Sequence, residues 1–276
     1  MQKRTLAAAA GLAAAVSATY VLWANKAPVT DSITVQSRYL PPAFDGLRIA
    51  HVSDLHNDSL GRRHSLTMAQ LRKAKPDLIC ITGDLIDARR TDIPCALDFV
   101  CQAIQLAPVY YVMGNHESRI PAYPELEQGL RQLGVQVLRN ETATLLRDGQ
   151  SLSIIGLDDP SISPDFPQLV RSLCSAAPGF RLVLCHRPEK FRDYAEAGAD
   201  LVLTGHAHGG QVRIPGVGGV IAPHQGWLPK YDAGLYTEGR THMAVSRGLG
   251  NSLCPLRVNN RPELLLLVLR SAPIVH

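Results

Sequence analysis

Two histidines one residue apart, at the end of a strand and among glycines, constrain this chain more than any other feature. They stand in Gly205-His206-Ala207-His208-Gly209-Gly210, directly after the apolar run Leu201-Val202-Leu203. Glycine tolerates positive φ and close backbone approach, so a turn at the flanking glycines would let both rings serve one site. Imidazole is the commonest metal-ligating side chain. Asp54-Leu55-His56, Gly83-Asp84, Gly114-Asn115-His116-Glu117 and Cys185-His186 each stand in the same position, at the C-terminal end of an apolar run.

The chain between these blocks alternates strand and helix patterns. Near-continuous apolar runs at 47–52, 77–82, 109–113, 181–185 and 201–203 read as strands buried on both faces. Helical spacing follows at about 64–74, 92–104, 125–133, 166–174 and 191–197, the second marked by a cap at Thr91 or Asp92 and by Pro94 in its first turn. Shorter strands are expected at 135–138, 143–146, 152–156, 243–246 and 264–269. Residues 209–236 are rich in Gly and Pro and read as one long functional loop. This order implies an α/β fold, a layered sandwich around mixed sheets.

Ligands in open α/β sheets gather beyond the carboxyl ends of strands. Five such ends supply Asp54, His56, Asp84, Asn115, His186, His206 and His208. Carboxylate, amide oxygen and imidazole together suit borderline divalent ions such as Mn, Fe or Zn. Seven donors are too many for one ion and enough for two, and a shared carboxylate would set the pair about 3.5–4 Å apart.

Taken in order, the blocks resemble the signature of the calcineurin-like metallophosphoesterases: D-x-H, G-D, G-N-H-[DE], a lone H, then G-H-x-H. The resemblance implies a four-layer α/β/β/α sandwich and a metal-dependent hydrolase of phosphoric esters or anhydrides. It also implies that Asp54, His56, Asp84 and His208 hold one ion and that Asp84, Asn115, His186 and His206 hold the other, Asp84 bridging. His116 would stabilise the transition state or protonate the leaving oxygen, and Asp87 would be the carboxylate that orients it. Protein phosphatases of the family carry Arg after that Asp; Ala88 stands here, which argues against a phosphoprotein monoesterase, although Arg89 or Arg90 is near enough to reach a phosphate.

Farther on, Gly209-Gly210-Gln211-Val212-Arg213, the stretch Lys230 to Tyr236, Ser246 to Gly250, Arg257 and Pro262-Glu263 look like the membrane-associated bacterial phosphodiesterase branch. That branch includes enzymes that split UDP-2,3-diacylglucosamine, a lipid A precursor, at its pyrophosphate. A phosphorylated small molecule or lipid nucleotide is therefore the expected substrate. The rivals are a nucleotide phosphodiesterase and a membrane-tethered module that binds metal without turnover.

The N-terminus carries the expectation of a membrane. Lys3 and Arg4 precede an uncharged run from Leu6 to Trp23, and about 20 apolar residues suffice to cross a bilayer. Its end in Tyr20, Leu22 and Trp23 suits an interfacial anchor better than a cleavage site. The expected organisation is an uncleaved anchor over 1–25, a linker over 26–44 and the catalytic domain over 45–272, held outside the cytoplasm of a bacterial inner membrane. The net charge of +4 is spread without a basic stripe, which speaks against polymeric nucleic acid. Six cysteines lack zinc-finger or disulfide spacing and read as free thiols.

Several residues have two readings. Asp158 and Asp159 are turn formers before Pro160, or minor site residues. His51, His64, His224 and His242 match no block and read as structural or exposed. Arg213, Lys230 and Arg247 either grip phosphate or sit solvated, and Trp227 and Leu228 either touch lipid or pack as a small satellite core.

Overall fold

The structure is a computed structural model that describes residues 11, 15, 16 and 19–272. Its first strand, β1 (Val29–Ser37), is followed by β2 (Arg48–Val52), helix α1 (Ser65–Ala74), β3 (Leu78–Thr82), α2 (Ile93–Ala103), β4 (Val109–Val112), α3 (Tyr123–Gln132) and β5 (Gln136–Val137). The second half runs β6 (Glu141–Arg147), β7 (Gln150–Gly156), α4 (Phe166–Ala176), β8 (Phe180–Leu184), α5 (Phe191–Glu196) and β9 (Leu201–Thr204). Two small hairpins come next, β10 (Arg213–Ile214) with β11 (Gly218–Gly219) and β12 (Ile221–Ala222) with β13 (Gly226–Trp227). The chain closes with β14 (Gly234–Glu238), β15 (Thr241–Val245) and β16 (Glu263–Ser271).

These strands form two six-stranded mixed sheets, ordered β1-β16-β2-β3-β4-β5 and β14-β15-β9-β8-β7-β6. The alternation of side chains along each strand separates three apolar layers. Ala50, Val52, Ile79 and Ile81 turn outward onto Met68, Leu71, Phe99, Val100 and Leu126 of α1 to α3. Ile49, Cys80, Tyr110 and Val112 turn inward and meet Ile154, Leu182, Leu184, Leu201 and Leu203 of the second sheet. Val183, Val202, Met243 and Val245 pack outward beneath Phe166, Val170, Phe191 and Tyr194 of α4 and α5. Helix, sheet, sheet and helix are stacked in that order. Each strand buried on both faces reads as a continuous apolar run for this reason.

The segment expected to be a linker, 26–44, is part of the first sheet. Its nine residues Val29–Ser37 pair in parallel with Glu263–Ser271. The strand lies at the sheet edge and alternates polar and half-buried positions, so its sequence lacks the apolar continuity of the central strands. The long Gly- and Pro-rich loop likewise contains β10 to β13 and the start of β14.

The expected membrane anchor is overturned. Among the described residues no helix is long and apolar enough to cross a membrane, and the placement of a catalytic domain outside the cytoplasm falls with it. Most of the 1–25 segment, Lys3 and Arg4 included, lies outside the described residues. The described part, 19–24, ends in a turn, where Asn25 is buried and exchanges hydrogen bonds with the Arg257 backbone at 2.7 and 2.8 Å. Arg261 stacks over the Trp23 ring at 4.9 Å.

Candidate metal centre

The carboxyl ends of β2, β3, β4, β8 and β9 converge on one side of the sandwich and deliver all seven expected ligands there. Asp54, His56, Asp84, Asn115, His186, His206 and His208 are all buried. Ligand atoms of Asp54, His56 and His208 lie within 4.8 Å of one another, and so do those of Asp84, His186 and His206. Asp84 Oδ2 stands between the two groups, 3.7 Å from His56 Nε2 and 3.1 Å from His186 Nε2. Asp54 Oδ1 is 3.4 Å from His208 Nε2 and 3.7 Å from His56 Nε2.

The local backbone is unusual. Asp54, His56, Asp84, His206 and His208 all have positive φ, between 48° and 66°. Non-glycine residues rarely adopt this left-handed region, and where they do, the strain tends to sit at functional sites. His206 and His208 therefore share the turn with Gly209 and Gly210, whose φ values are 62° and 70° as expected of the flanking glycines. Gly205, on the other flank, serves close approach: a Cβ there would overlap Ser53 Oγ and Asp54 Oδ2.

Other contacts hold the ligands in orientation. His186 Nδ1–H donates to the Thr82 carbonyl at 2.7 Å, which turns Nε2 toward Asp84. Asp84 Oδ1 accepts the His116 N–H at 2.9 Å. Glu117, buried, accepts the backbone N–H groups of Asp84, Gly114 and Ile86 at 2.8, 2.9 and 3.2 Å and so ties two of the ligand loops together.

The charges suit a cation. Burial opposes ionisation of Asp54 and Asp84, but His208 and His56 around the first, and His186 beside the second, hold both carboxyls well below their usual range. Burial pushes His208 down to about 3. It also lowers His206, with His186 and Arg187 adding to the effect. Both rings are thus neutral and present lone pairs. Burial opposes a charge on His186 too, yet Asp84 raises it to about 10. The Asn115 amide oxygen is buried without a hydrogen-bond partner, and a buried orphan acceptor of this kind fits a ligand to a divalent cation.

Residues 47–210 match the calcineurin-like phosphoesterase family. The chain belongs to that family. It is 32% identical over 252 residues to the uncharacterized metallophosphoesterase YkuE of Bacillus subtilis (strain 168), covering 88% of this chain and 85% of that one. It is 31% identical over 203 residues, 71% of each chain, to the phosphodiesterase YaeI of Escherichia coli (strain K12). The solved structure of TT1561 from Thermus thermophilus aligns over 74% of this chain and 90% of its own, with a TM-score of 0.49 at 12% identity. The protein is a metal-dependent phosphoester hydrolase.

In this metallophosphoesterase the expected orienting carboxylate stands beside its histidine but makes no hydrogen bond to it. Asp87 Oδ1 is 3.7 Å from His116 Nδ1, and its carboxylate is taken by the side chain and N–H of Arg89 at 2.8 to 3.2 Å. The N–H of Ala88 donates to His116 Nδ1 at 2.9 Å in its place. Asp158 and Asp159, read as turn formers, are both buried in ion pairs, with Arg139 and Arg187. The other unassigned basic residues are engaged as well: Arg213 pairs with Asp232 and Arg247 with Glu263 and Asp31.

The metal centre opens into a cavity of about 520 Å³. Asp84, Asn115, His116, His206 and His208 form its floor, Arg119 and His224 stand at its sides, and Ile221, Pro223 and Leu253 form apolar walls. Leu253, of that lining, is 81% exposed, and Trp227 and Leu228 of the adjoining hairpin are exposed as well. His224 was unreadable as a site residue because it lies in the turn of the β12–β13 hairpin, outside every spaced block.

Proposed function

We propose that this hydrolase cleaves a phosphodiester or pyrophosphate whose organic part is substantially apolar, UDP-2,3-diacylglucosamine being a representative candidate. The observation that carries the reading is the two-sided lining of the cavity, metal-ligand residues at its floor and Ile221, Pro223 and Leu253 on its walls. A phosphoprotein would need an open, basic approach; Ala88 at the position after Asp87, and the pairing of Arg213 and Arg247 with carboxylates, speak for a small diester instead. Similarity to a phosphodiesterase of Escherichia coli supports the same side of the choice.

Two divalent ions, Mn²⁺ or otherwise Fe or Zn, fit the donor set. Asp54, His56, Asp84 and His208 would hold one, and Asp84, Asn115, His186 and His206 the other. Bound there, such ions supply a water of lowered pKa and neutralise charge on the phosphoryl oxygens. The chain's own groups do the rest. His116 carries its proton on Nε2 and is placed to give it to the departing oxygen. Ser252 Oγ, 3.4 Å from that nitrogen, helps fix the ring. Arg119 offers a positive charge to a phosphate that extends beyond the floor, and Ile221, Pro223 and Leu253 offer apolar contact to the organic part of the substrate.

The test is hydrolysis of bis-p-nitrophenyl phosphate, p-nitrophenyl phosphate and UDP-2,3-diacylglucosamine with Mn²⁺, each beside His116→Ala. Turnover of the lipid nucleotide, lost in the variant, supports the reading. Turnover of the monoester alone refutes it, and turnover of the soluble diester alone keeps the reaction class and discards the apolar substrate.

A further inference from the structure

Beside the metal centre, on the side away from Asp84, lies a second group of polar side chains that no expected role absorbs. His206 Nδ1 is 3.2 Å from His186 Nε2 and faces the ligand cluster. Its other nitrogen, Nε2, is 2.8 Å from Nδ1 of His224 and 3.0 Å from Nη1 of Arg187. Arg187 Nη1 is also 2.8 Å from His224 Nδ1 and 3.4 Å from Glu189 Oε1. The remainder of that guanidinium is committed to Asp159, through bonds of 2.6 and 3.1 Å.

Ligand atoms of Glu189, His206 and His224 lie close enough together to suggest a third ion. Arg187 excludes it, because its cationic nitrogen already stands 2.8 to 3.4 Å from all three. What remains is a question of donors and acceptors. Guanidinium nitrogens only donate. If Nδ1 of His206 gives its lone pair to a cation, the neutral ring must carry its proton on Nε2, which then donates as well. Two donors would face each other at 3.0 Å. His224 Nδ1, with its one lone pair, is the atom in position to accept the Nε2–H, at 2.8 Å, and Glu189 Oε1 accepts an Nη1 hydrogen.

We propose that His224 is a positioning residue for the metal centre: its unprotonated Nδ1 accepts the Nε2–H of His206 and thereby holds that ring with Nδ1 free toward the metal. The inference rests on the reading that His206 serves a metal through Nδ1. A ligand histidine commonly has its ring proton fixed by such a partner, and loss of the partner weakens metal binding roughly 10–100-fold. Here the partner sits on the cavity wall instead of in the sandwich.

The geometry of the hairpin supports the role. His224 lies between β12 and β13 with φ of +60°, a strained conformation for a side chain that only packed at the surface. Its neighbour Gln225 is pinned at both ends of its amide to Tyr231, at 2.8 and 2.9 Å. Val220, at the foot of the hairpin, donates to the carbonyls of Gly210 and Val212 at 3.1 and 2.9 Å. The hairpin is thus rooted in the glycines that follow His208, and it carries both the apolar wall and the acceptor for His206.

The experiment is calorimetric titration of the full-length, metal-stripped protein with Mn²⁺, for wild type, His206→Ala, His224→Ala, His224→Asn and His224→Gln. An Asn amide oxygen can take the place of Nδ1, whereas a Gln oxygen lies nearer the position of Nε2. His224→Ala and His224→Gln should weaken one of two Mn²⁺ sites roughly 10–100-fold and leave the other unchanged. His224→Asn should recover most of that loss, and all three should melt as wild type does in EDTA. Two unchanged sites in His224→Ala overturn the proposal, as does equal loss in the Ala and Asn variants. A His206→Ala protein with two sites of wild-type affinity refutes instead the underlying reading that His206 is a ligand.

Discussion

The backbone N–H of Ala88 donates to Nδ1 of His116 at 2.9 Å. Because that nitrogen accepts, the ring proton of neutral His116 must lie on Nε2, which is 3.9 Å from Asp84 Oδ2. Burial lowers the pKa of this histidine, and Asp84 only partly offsets it, so the ring is a neutral donor aimed at the metal-facing floor. His116→Ala should reduce kcat about 10²–10⁴-fold with Mn²⁺ content unchanged by elemental analysis. Loss of the metal along with activity would reassign His116 to metal binding.

Asp87 separates two ways of holding that ring. Its carboxylate is spent on Arg89, and the amide of Ala88 does the orienting. Asp87→Asn should therefore cost little next to His116→Ala, while Ala88→Pro, which removes the donor, should lower kcat with KM little changed. Steady-state kinetics on a soluble diester decide it, and a loss in Asp87→Asn as deep as in His116→Ala would restore the carboxylate to the orienting role.

Glu117 joins loops that sequence order keeps apart. It accepts from Asp84, Ile86 and Gly114, and a glutamine would turn an N–H₂ donor toward at least one of them. An unmet buried donor costs about 1–3 kcal/mol. In a domain of this size Glu117→Gln should lower Tm by about 2–10 °C and weaken Mn²⁺ binding. An unchanged melting curve by circular dichroism would show that the loops hold their positions without it.

Asp84 Oδ2 stands between the two ligand groups, so one substitution should affect both ions. Asp84→Asn keeps the shape and removes the charge, and in a Mn²⁺ titration both sites should weaken; two intact sites would end the bridging assignment. In the wild type, EDTA should lower Tm, since ligand at one hundred times its Kd stabilises the native state by about 2.7 kcal/mol per site.

How much of this was legible in the sequence depends on the kind of force involved. Strands β2, β3, β4, β8 and β9 were legible because burial on both faces demands unbroken apolar runs, and the polar residues that end those runs mark the site. Edge strand β1 was not, since residues such as Asp31 and Gln36 satisfy only one wet face. The convergence of Asp54, Asp84 and His206 followed from topology, but their left-handed backbone did not, because no glycine marks those positions. His224 and Arg187 meet His206 only through the path of the hairpin and a buried ion pair with Asp159. Neither leaves a spacing in the sequence.

His51 offers a test of the fold that does not pass through the metal. It lies wholly buried on β2, with Nε2 2.8 Å from Thr82 Oγ1 and Nδ1 without a partner. Burial depresses its pKa to about 3, against a raising effect of Asp54. The native state therefore keeps His51 neutral, while the unfolded chain protonates it near about 6.5. The contribution of His51 to stability is therefore complete above the unfolded-chain value, falls as pH drops, and is exhausted near pH about 3. Within that window unfolding takes up one proton at this residue, worth about 1.4 kcal/mol per pH unit. Urea unfolding in EDTA between about pH 6 and pH 4 should show a stability that falls less steeply for His51→Gln than for wild type by about that slope. Parallel curves would mean that His51 is protonated in the folded protein, and that Thr82 and Asp54 support its charge.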